Sequence, residues 1–169
     1  MRLEGVEWVS ETADTNAWTC QIRYKGHRLP DLVALRKYLE ETMRAGARLY
    51  GVEATLQGHL VTQEGVLGLE LSDTKEVLHL APLQHKIQWD MKQKREAPTS
   101  EREKSAFSLL EVFATKKPKG LVRIVGVLEQ KLEDKRFILE VREFQDSTIV
   151  MPAKRGLRLP SKQKQRGNR

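Results

Sequence analysis

Residues 52–71, VEATLQGHLVTQEGVLGLEL, carry the pattern that decides the fold of this chain. Apolar and polar side chains alternate along the first half, which is the period of a half-buried β-strand. Gly58 lies inside that strand and predicts a bulge or sharp bend, because glycine lets a strand curve around a small barrel. A second strand follows, with Leu67, Leu69 and Leu71 on one face. The stretch therefore predicts the first hairpin of a curved sheet.

The residues after this hairpin predict one more strand, a loop and a helix. Val77 to Leu80 reads as the third strand, and the polar and charged residues 84–104 read as a connecting loop. Ser100 with Glu103 makes a capping box, after which apolar residues recur at helical spacing until Pro118. Two strands close the pattern, at Leu121 to Gln130 and at Arg136 to Phe144.

From residue 49 the order of elements is strand, strand, strand, helix, strand, strand. Gly58 lies in the first of these strands and Gly126 in the fourth. Over about residues 49–145 this order resembles the OB-fold, a small Greek-key barrel. The resemblance implies a five-stranded OB-like barrel with one helix between its third and fourth strands.

The residues before the barrel predict two strands and a helix. Residues 3–9 and 18–25 alternate like half-buried strands, and Pro30 and Asp31 open a helix with a leucine stripe that includes Leu32 and Leu35. The stretch EGVEWVSETADTNAWTCQIRYKGHRLPDLVALRKYLEE resembles the latter part of a heavy-metal-associated domain. The chain lacks that family's Cys-x-x-Cys site, so the resemblance implies a ferredoxin-like ββα half without metal transfer.

These elements give an α+β fold in three parts. Residues 1–48 form the ββα unit, residues 49–146 the OB-like barrel, and residues 147–169 a basic C-terminal arm. The net charge is +7, and residues 151–169 supply all of it, so residues 1–150 are formally neutral. We expect the arm to bind an anionic surface, such as nucleic acid or anionic lipid, through its cations. These are Lys154, Arg155, Arg158, Lys162, Lys164, Arg166 and Arg169.

Residue patterns for chemistry are lacking, and we expect neither an enzyme nor a resident cofactor or metal. Cys20 and the four histidines have no ligand spacing on one element, and no nucleophile elbow or phosphate loop occurs. No apolar run is long enough for a transmembrane segment. The start, MRLEGVEWVS, lacks a signal core, so we expect a cytoplasmic protein unless an N-terminal leader was removed before residue 1.

Apolar residues on both faces of the last two strands predict a binding surface. In the first of these strands Val125 and Val127 lie on the face opposite the apolar row Val122, Ile124 and Leu128. In the second, Ile138 and Phe144 lie on the face opposite Phe137, Leu139 and Val141. Both faces of the strand pair therefore need to be packed against other groups. That cover is either the ββα unit or a partner protein.

We therefore expect an accessory or scaffold subunit that docks onto a larger, possibly membrane-associated, assembly through these four residues and the arm. One alternative is a nucleic-acid-binding protein that uses the arm. The barrel itself is not expected to bind bases, because the outward residues of its second and third strands include no stacking ring and no Lys or Arg. A second alternative is a metal-handling protein that depends on Cys20.

Overall fold

The computed structural model describes residues 6–13, 18–24, 29–42, 50–90, 92–116, 118–133 and 135–146, with side chains described from residue 29 onward except at positions 39, 40, 42 and 89. The fold is α+β, with a five-stranded sheet that closes into a ring and two helices. In chain order the elements are β1 (Val6–Ala13), β2 (Trp18–Tyr24), α1 (Leu32–Thr42), β3 (Glu53–Gln63), β4 (Val66–Leu71), β5 (Val77–Pro82), β6 (Trp89–Asp90), β7 (Arg95–Glu96), α2 (Glu101–Thr115), β8 (Val122–Gln130) and β9 (Phe137–Asp146).

The barrel closes in the order β3-β4-β5-β9-β8, and β8 pairs back onto β3. All neighbouring strands are antiparallel except β5 and β9, which run parallel. Strand β3 is long enough to pair with β8 along its first half and with β4 along its second half, and it therefore bends around the barrel. Alternate side chains fill the interior. Among them Leu69, Leu78, Ile124, Leu139 and Val141 are fully buried.

Two glycines stand where neighbouring strands come closest. A Cβ at Gly58 would collide with the carbonyl oxygen of Glu70, and a Cβ at Gly126 would collide with that of Glu140. The pairing is irregular between Val125 and Gly126, and Arg142 of β9 is the extra, unpaired residue there. The sequence predicted a bend at Gly58, whereas the irregular pairing lies beside the second glycine.

Helix α2 covers the barrel between β5 and β9. Ser100 and Glu103 form the predicted capping box, in which each side chain bonds the other residue's backbone N–H. Ala106 and Leu110 are buried against the barrel, because they lie on one face of the helix at the four-residue spacing.

Helix α1 packs on the same core as the barrel. The Asp31 carboxylate accepts hydrogen bonds from the N–H groups of Val33 and Ala34, as expected of a residue that caps a helix. Leu32 and Leu35 are buried within the barrel's apolar cluster, and the Leu32 N–H donates to the side chain of Gln130. Strands β1 and β2 pair antiparallel with each other. The ferredoxin-like interpretation of this unit stays a prediction.

Residues 84–104 contain a hairpin where the sequence predicted a loop. Strands β6 and β7 pair at Trp89↔Glu96 and Asp90↔Arg95. Each has two residues, too few for an alternating pattern to be visible in the sequence. None of the helices in the described part of the chain is long and apolar enough to cross a membrane.

Candidate functional site: the outer surface of the barrel

The four residues predicted to bind a partner do not share one exposed face. Val125 and Ile138 lie half-buried on the outside of the barrel. Phe144 packs against the core, with its ring 5.8 Å from that of Phe113 in α2. The extra residue at Arg142 shifts the phase of β9, so Phe144 points inward where simple alternation placed it outside. The phase of a strand after a bulge cannot be seen in its sequence.

Val127 lies on the outside but is only 4% exposed. Its neighbours across the sheet are Glu53 and Glu140, and both bind the segment before β6. One carboxylate oxygen of Glu140 accepts from the backbone N–H groups of residues 84 and 85, at 2.8 Å and 3.2 Å. The side chain of Gln88 donates to Glu53. The segment of residues 83–88 between β5 and β6, called the connector below, therefore packs over this part of the sheet. It shields the outer apolar side chain that the sequence pattern predicted to need burial.

A cluster of charged side chains holds the connector and α2 on the barrel. Glu103 is 7% exposed, and one of its carboxylate oxygens accepts from Lys86 Nζ at 2.9 Å and from Ser100 N and Oγ at 2.8 Å each. Its other oxygen lies 3.4 Å from Arg142 Nη1. Arg142 also forms ion pairs with Glu53, at 2.9 Å, and with Glu143, at 2.6 Å. Four segments of the chain meet in this cluster: β3, the segment before β6, the start of α2 and β9.

The cluster perturbs the ionisation of its central carboxyl. Burial by itself raises the pKa of Glu103, but the hydrogen bonds from Lys86 and Ser100 outweigh it and lower the pKa from 4.5 to about 2. For Arg142, burial opposes the charge, whereas the carboxylates of Glu53 and Glu143 raise the pKa of the guanidinium. Both groups are thus held in their charged forms. Perturbed pKa values occur in structural ion-pair networks as well as in active sites, and here the bonds join the connector to the barrel.

A second feature of the outer surface is an apolar row. Val61, Gly68, His79 and Ile138 are successive partners on β3, β4, β5 and β9. Gly68 is buried, because a Cβ there would lie 2.9 Å from Val77 Cγ1 and 3.4 Å from Val61 Cγ2. The two valines therefore close over the glycine. Val61, Val77, His79 and Ile138, with Gly68 between them, are called the outer patch below.

Acidic residues border the outer patch. Glu129 is paired with Ile138 across the sheet and is exposed. Glu70 is paired with Val77 and lies 3.2 Å from Lys75 Nζ. The row of paired residues contains no Phe, Tyr or Trp and no Lys or Arg. Its surface chemistry is apolar with an acidic border.

The histidines predicted as candidates are spread over the surface. His79 belongs to the outer patch, His59 lies on the outside of β3, and His85 lies in the segment before β6. Cys20 is in β2, where side chains are not described, and His27 and the arm from Lys154 to Arg169 lie outside the described residues. Within the described ranges no group of three or more His, Cys, Asp or Glu side chains could hold a metal ion.

A shallow depression opens at one end of the barrel, with a volume of about 270 Å³. It is lined by Leu60, Thr62, Leu67, Ala114 and Pro118, so it presents one hydroxyl and no ionisable side chain. Comparison of the chain with protein-family models, curated proteins and solved structures finds no match.

Proposed function

We propose that this chain is a non-catalytic accessory or scaffold subunit that binds a partner protein through the outer patch. The carrying observation is the apolar row across β3, β4, β5 and β9, in which Val61 and Val77 close over Gly68. Apolar side chains that are grouped on one face are typical of the centre of a protein interface. In this proposal the patch retains Ile138 and replaces Val125, Val127 and Phe144 as the docking surface.

The proposed fold of the binding body is an OB-like barrel. Support comes from the order of elements, from α2 between the third and fourth barrel strands, and from the Greek-key insertion of β9 between β5 and β8. The barrel is also strongly sheared. This is seen by following paired residues once around the barrel, from Gln63 of β3 through Val66, Ala81, Glu140 and Val127, with the β4–β5 pairing continued two residues beyond its last observed pair. The path returns to β3 at Glu53 and not at Gln63, so the strands are staggered around the barrel.

Charge at the border favours one kind of partner. Glu129 is exposed directly beside Ile138, so the complementary surface has apolar side chains flanked by Lys or Arg. A nucleic acid is disfavoured at this face, because single-strand readers need stacking rings and cations. In the proposed assembly the cations of the basic arm contact an acidic or phosphate-bearing surface of the same complex.

The test begins with a partner found by quantitative affinity purification and then purified. Its dissociation constant is measured with the wild-type chain and with Ile138→Glu, which places a charge inside the patch. Interface anchors cost about 2 kcal/mol or more when lost, so we expect Kd to rise by at least tenfold. Glu129→Lys should weaken binding more at low salt than at high salt, since it reverses a border charge.

The matched control is Gln57→Glu. Gln57 is an exposed outer residue of β3 that pairs with Arg123, away from the patch. Far-UV circular dichroism and urea midpoints of all three variants are the controls for folding. Equal Kd values for Ile138→Glu and Gln57→Glu would exclude the patch as the docking surface.

Deletion of residues 151–169 separates the two earlier alternatives from this proposal. Protein binding through the patch survives the deletion with modest salt dependence, whereas nucleic-acid binding through the arm disappears. The metal-handling alternative predicts stoichiometric copper or zinc binding that Cys20→Ser abolishes.

A further inference from the structure

Three cations stand close together at the tip of the β6–β7 hairpin. Lys92, Lys94 and Arg95 are all exposed, and the polar Gln93 lies between them. Some other lysines of the described chain are paired with carboxylates, as Lys37 is with Glu41, Lys75 with Glu70, Lys86 with Glu103 and Lys104 with Glu101. Among the described residues, no such pair involves the three cations at the tip. Their charge is therefore available to a ligand.

The backbone that carries these cations is held in place. The Asp90 carboxylate accepts from the N–H groups of Lys92 and Gln93 at 2.9 Å and 3.1 Å, which fixes the turn. Lys94 adopts a left-handed conformation, with φ of 51°, that completes the reversal. At the base, the Ala97 N–H donates to the Gln88 carbonyl at 2.8 Å.

The base of the hairpin is in turn tied to the barrel. Gln88 donates to Glu53 of β3, and Lys86 Nζ donates to the Pro98 carbonyl at 3.3 Å and to Glu103 at 2.9 Å. A tip supported in this way loses little backbone entropy on binding, so its charges are preorganised. The ionic cluster thus has a consequence beyond stability, because it positions the hairpin.

We propose that this hairpin tip, which is separate from the outer patch, binds the phosphate backbone of a nucleic acid. Exposed cations that lie close together suit a polyanion, since each phosphate contact releases counterions. Residues 92–95 themselves carry only polar and cationic side chains, which suit a polyanion better than the apolar interior of a bilayer or the apolar centre of a protein interface.

The test measures binding of a fluorescein-labelled 20-nucleotide single-stranded DNA by anisotropy, between 50 and 200 mM KCl. The tip variant combines Lys92→Gln, Lys94→Gln and Arg95→Gln. The matched control combines Lys37→Gln, Lys75→Gln and Lys104→Gln, which removes the same charge from lysines that are already paired. Each lost contact should reduce the slope of log K against log salt by about 0.7, so we expect the tip variant's slope to be shallower by about 2. The control should keep the wild-type slope.

Three results would overturn the proposal. One is the absence of wild-type binding at 50 mM KCl, and another is an equal loss in the tip and control variants, which would indicate net charge alone. The third is a stronger dependence on the tip for vesicles containing phosphatidylserine than for DNA. Circular dichroism of each variant is the control for folding. The outcome is independent of the outer patch, because Ile138→Glu should leave DNA binding unchanged.

Discussion

Glu103→Gln is the substitution with the sharpest consequence in this structure. It keeps the shape of the side chain but removes the charge that Lys86 and Arg142 contact, with those two side chains only 13% and 18% exposed. A pKa lowered from 4.5 to about 2 corresponds to roughly 3 kcal/mol of stability at neutral pH. Some solvent reaches the cluster and screens its charges, so we expect a loss of about 2 kcal/mol in the free energy of unfolding at pH 7.

The pH dependence gives the prediction a second, independent signature. Because the folded-state pKa lies below that of the unfolded chain, the unfolded chain takes up a proton first as the pH falls. The stability supplied by Glu103 is therefore complete above pH 4.5 and is lost progressively between pH 4.5 and pH 2. The difference between wild type and Glu103→Gln should shrink over that window.

The assay is urea unfolding followed by far-UV circular dichroism at pH 7, 4 and 3. Glu101→Gln is the matched control, since Glu101 belongs to the same helix turn but its side chain is 89% exposed and, among the described residues, pairs with Lys104 alone. We expect that control to cost less than about 0.5 kcal/mol. A Glu103→Gln protein as stable as Glu101→Gln at pH 7, or one whose deficit does not change with pH, would refute the reasoning.

Three further substitutions test the barrel and its cover. Gly126→Ala places a methyl group against the Glu140 carbonyl and should cost about 2 kcal/mol or more in urea unfolding, whereas Gly65→Asn, at a position with φ of 80° and open space, should be nearly neutral. Phe144→Ala should cost about 3 kcal/mol by the same measurement if the ring packs inward; a cost below about 1 kcal/mol would instead indicate an outward ring. Glu140→Ala releases the N–H groups of residues 84 and 85, so native-state trypsin digestion should cut the connector several-fold faster, while Glu129→Gln should leave the rate unchanged.

Local patterns in the sequence predicted most of the barrel's elements. The period of two located β4 with the observed bounds and placed β8 and β9 within two residues at each end. The capping box at Ser100 gave the start of α2, because the residues that form it are three apart and need nothing else from the fold. The concentration of charge in residues 151–169 is likewise a property of the sequence.

The outward faces of the last two strands were predicted less well, because they depend on how the strands pair. Alternation assigned Phe144 to the outside, but the unpaired Arg142 reverses the phase of β9 before that residue is reached. Val127 was assigned correctly to the outside, yet the connector passes over it. The outer patch joins residues from β3, β4, β5 and β9, which no local window of sequence contains.

What the sequence determined by itself is the type and position of most helices and strands, and a neutral body with a basic end. Only the tertiary structure decided that β9 lies between β5 and β8, that the connector forms a hairpin, and that Glu53, Glu103 and Arg142 share one cluster. The physical reason is range. Periodicity and capping arise between residues a few positions apart, whereas the ion pair between Arg142 and Glu53 forms across 89 positions, and its partners are chosen by the closure of the barrel.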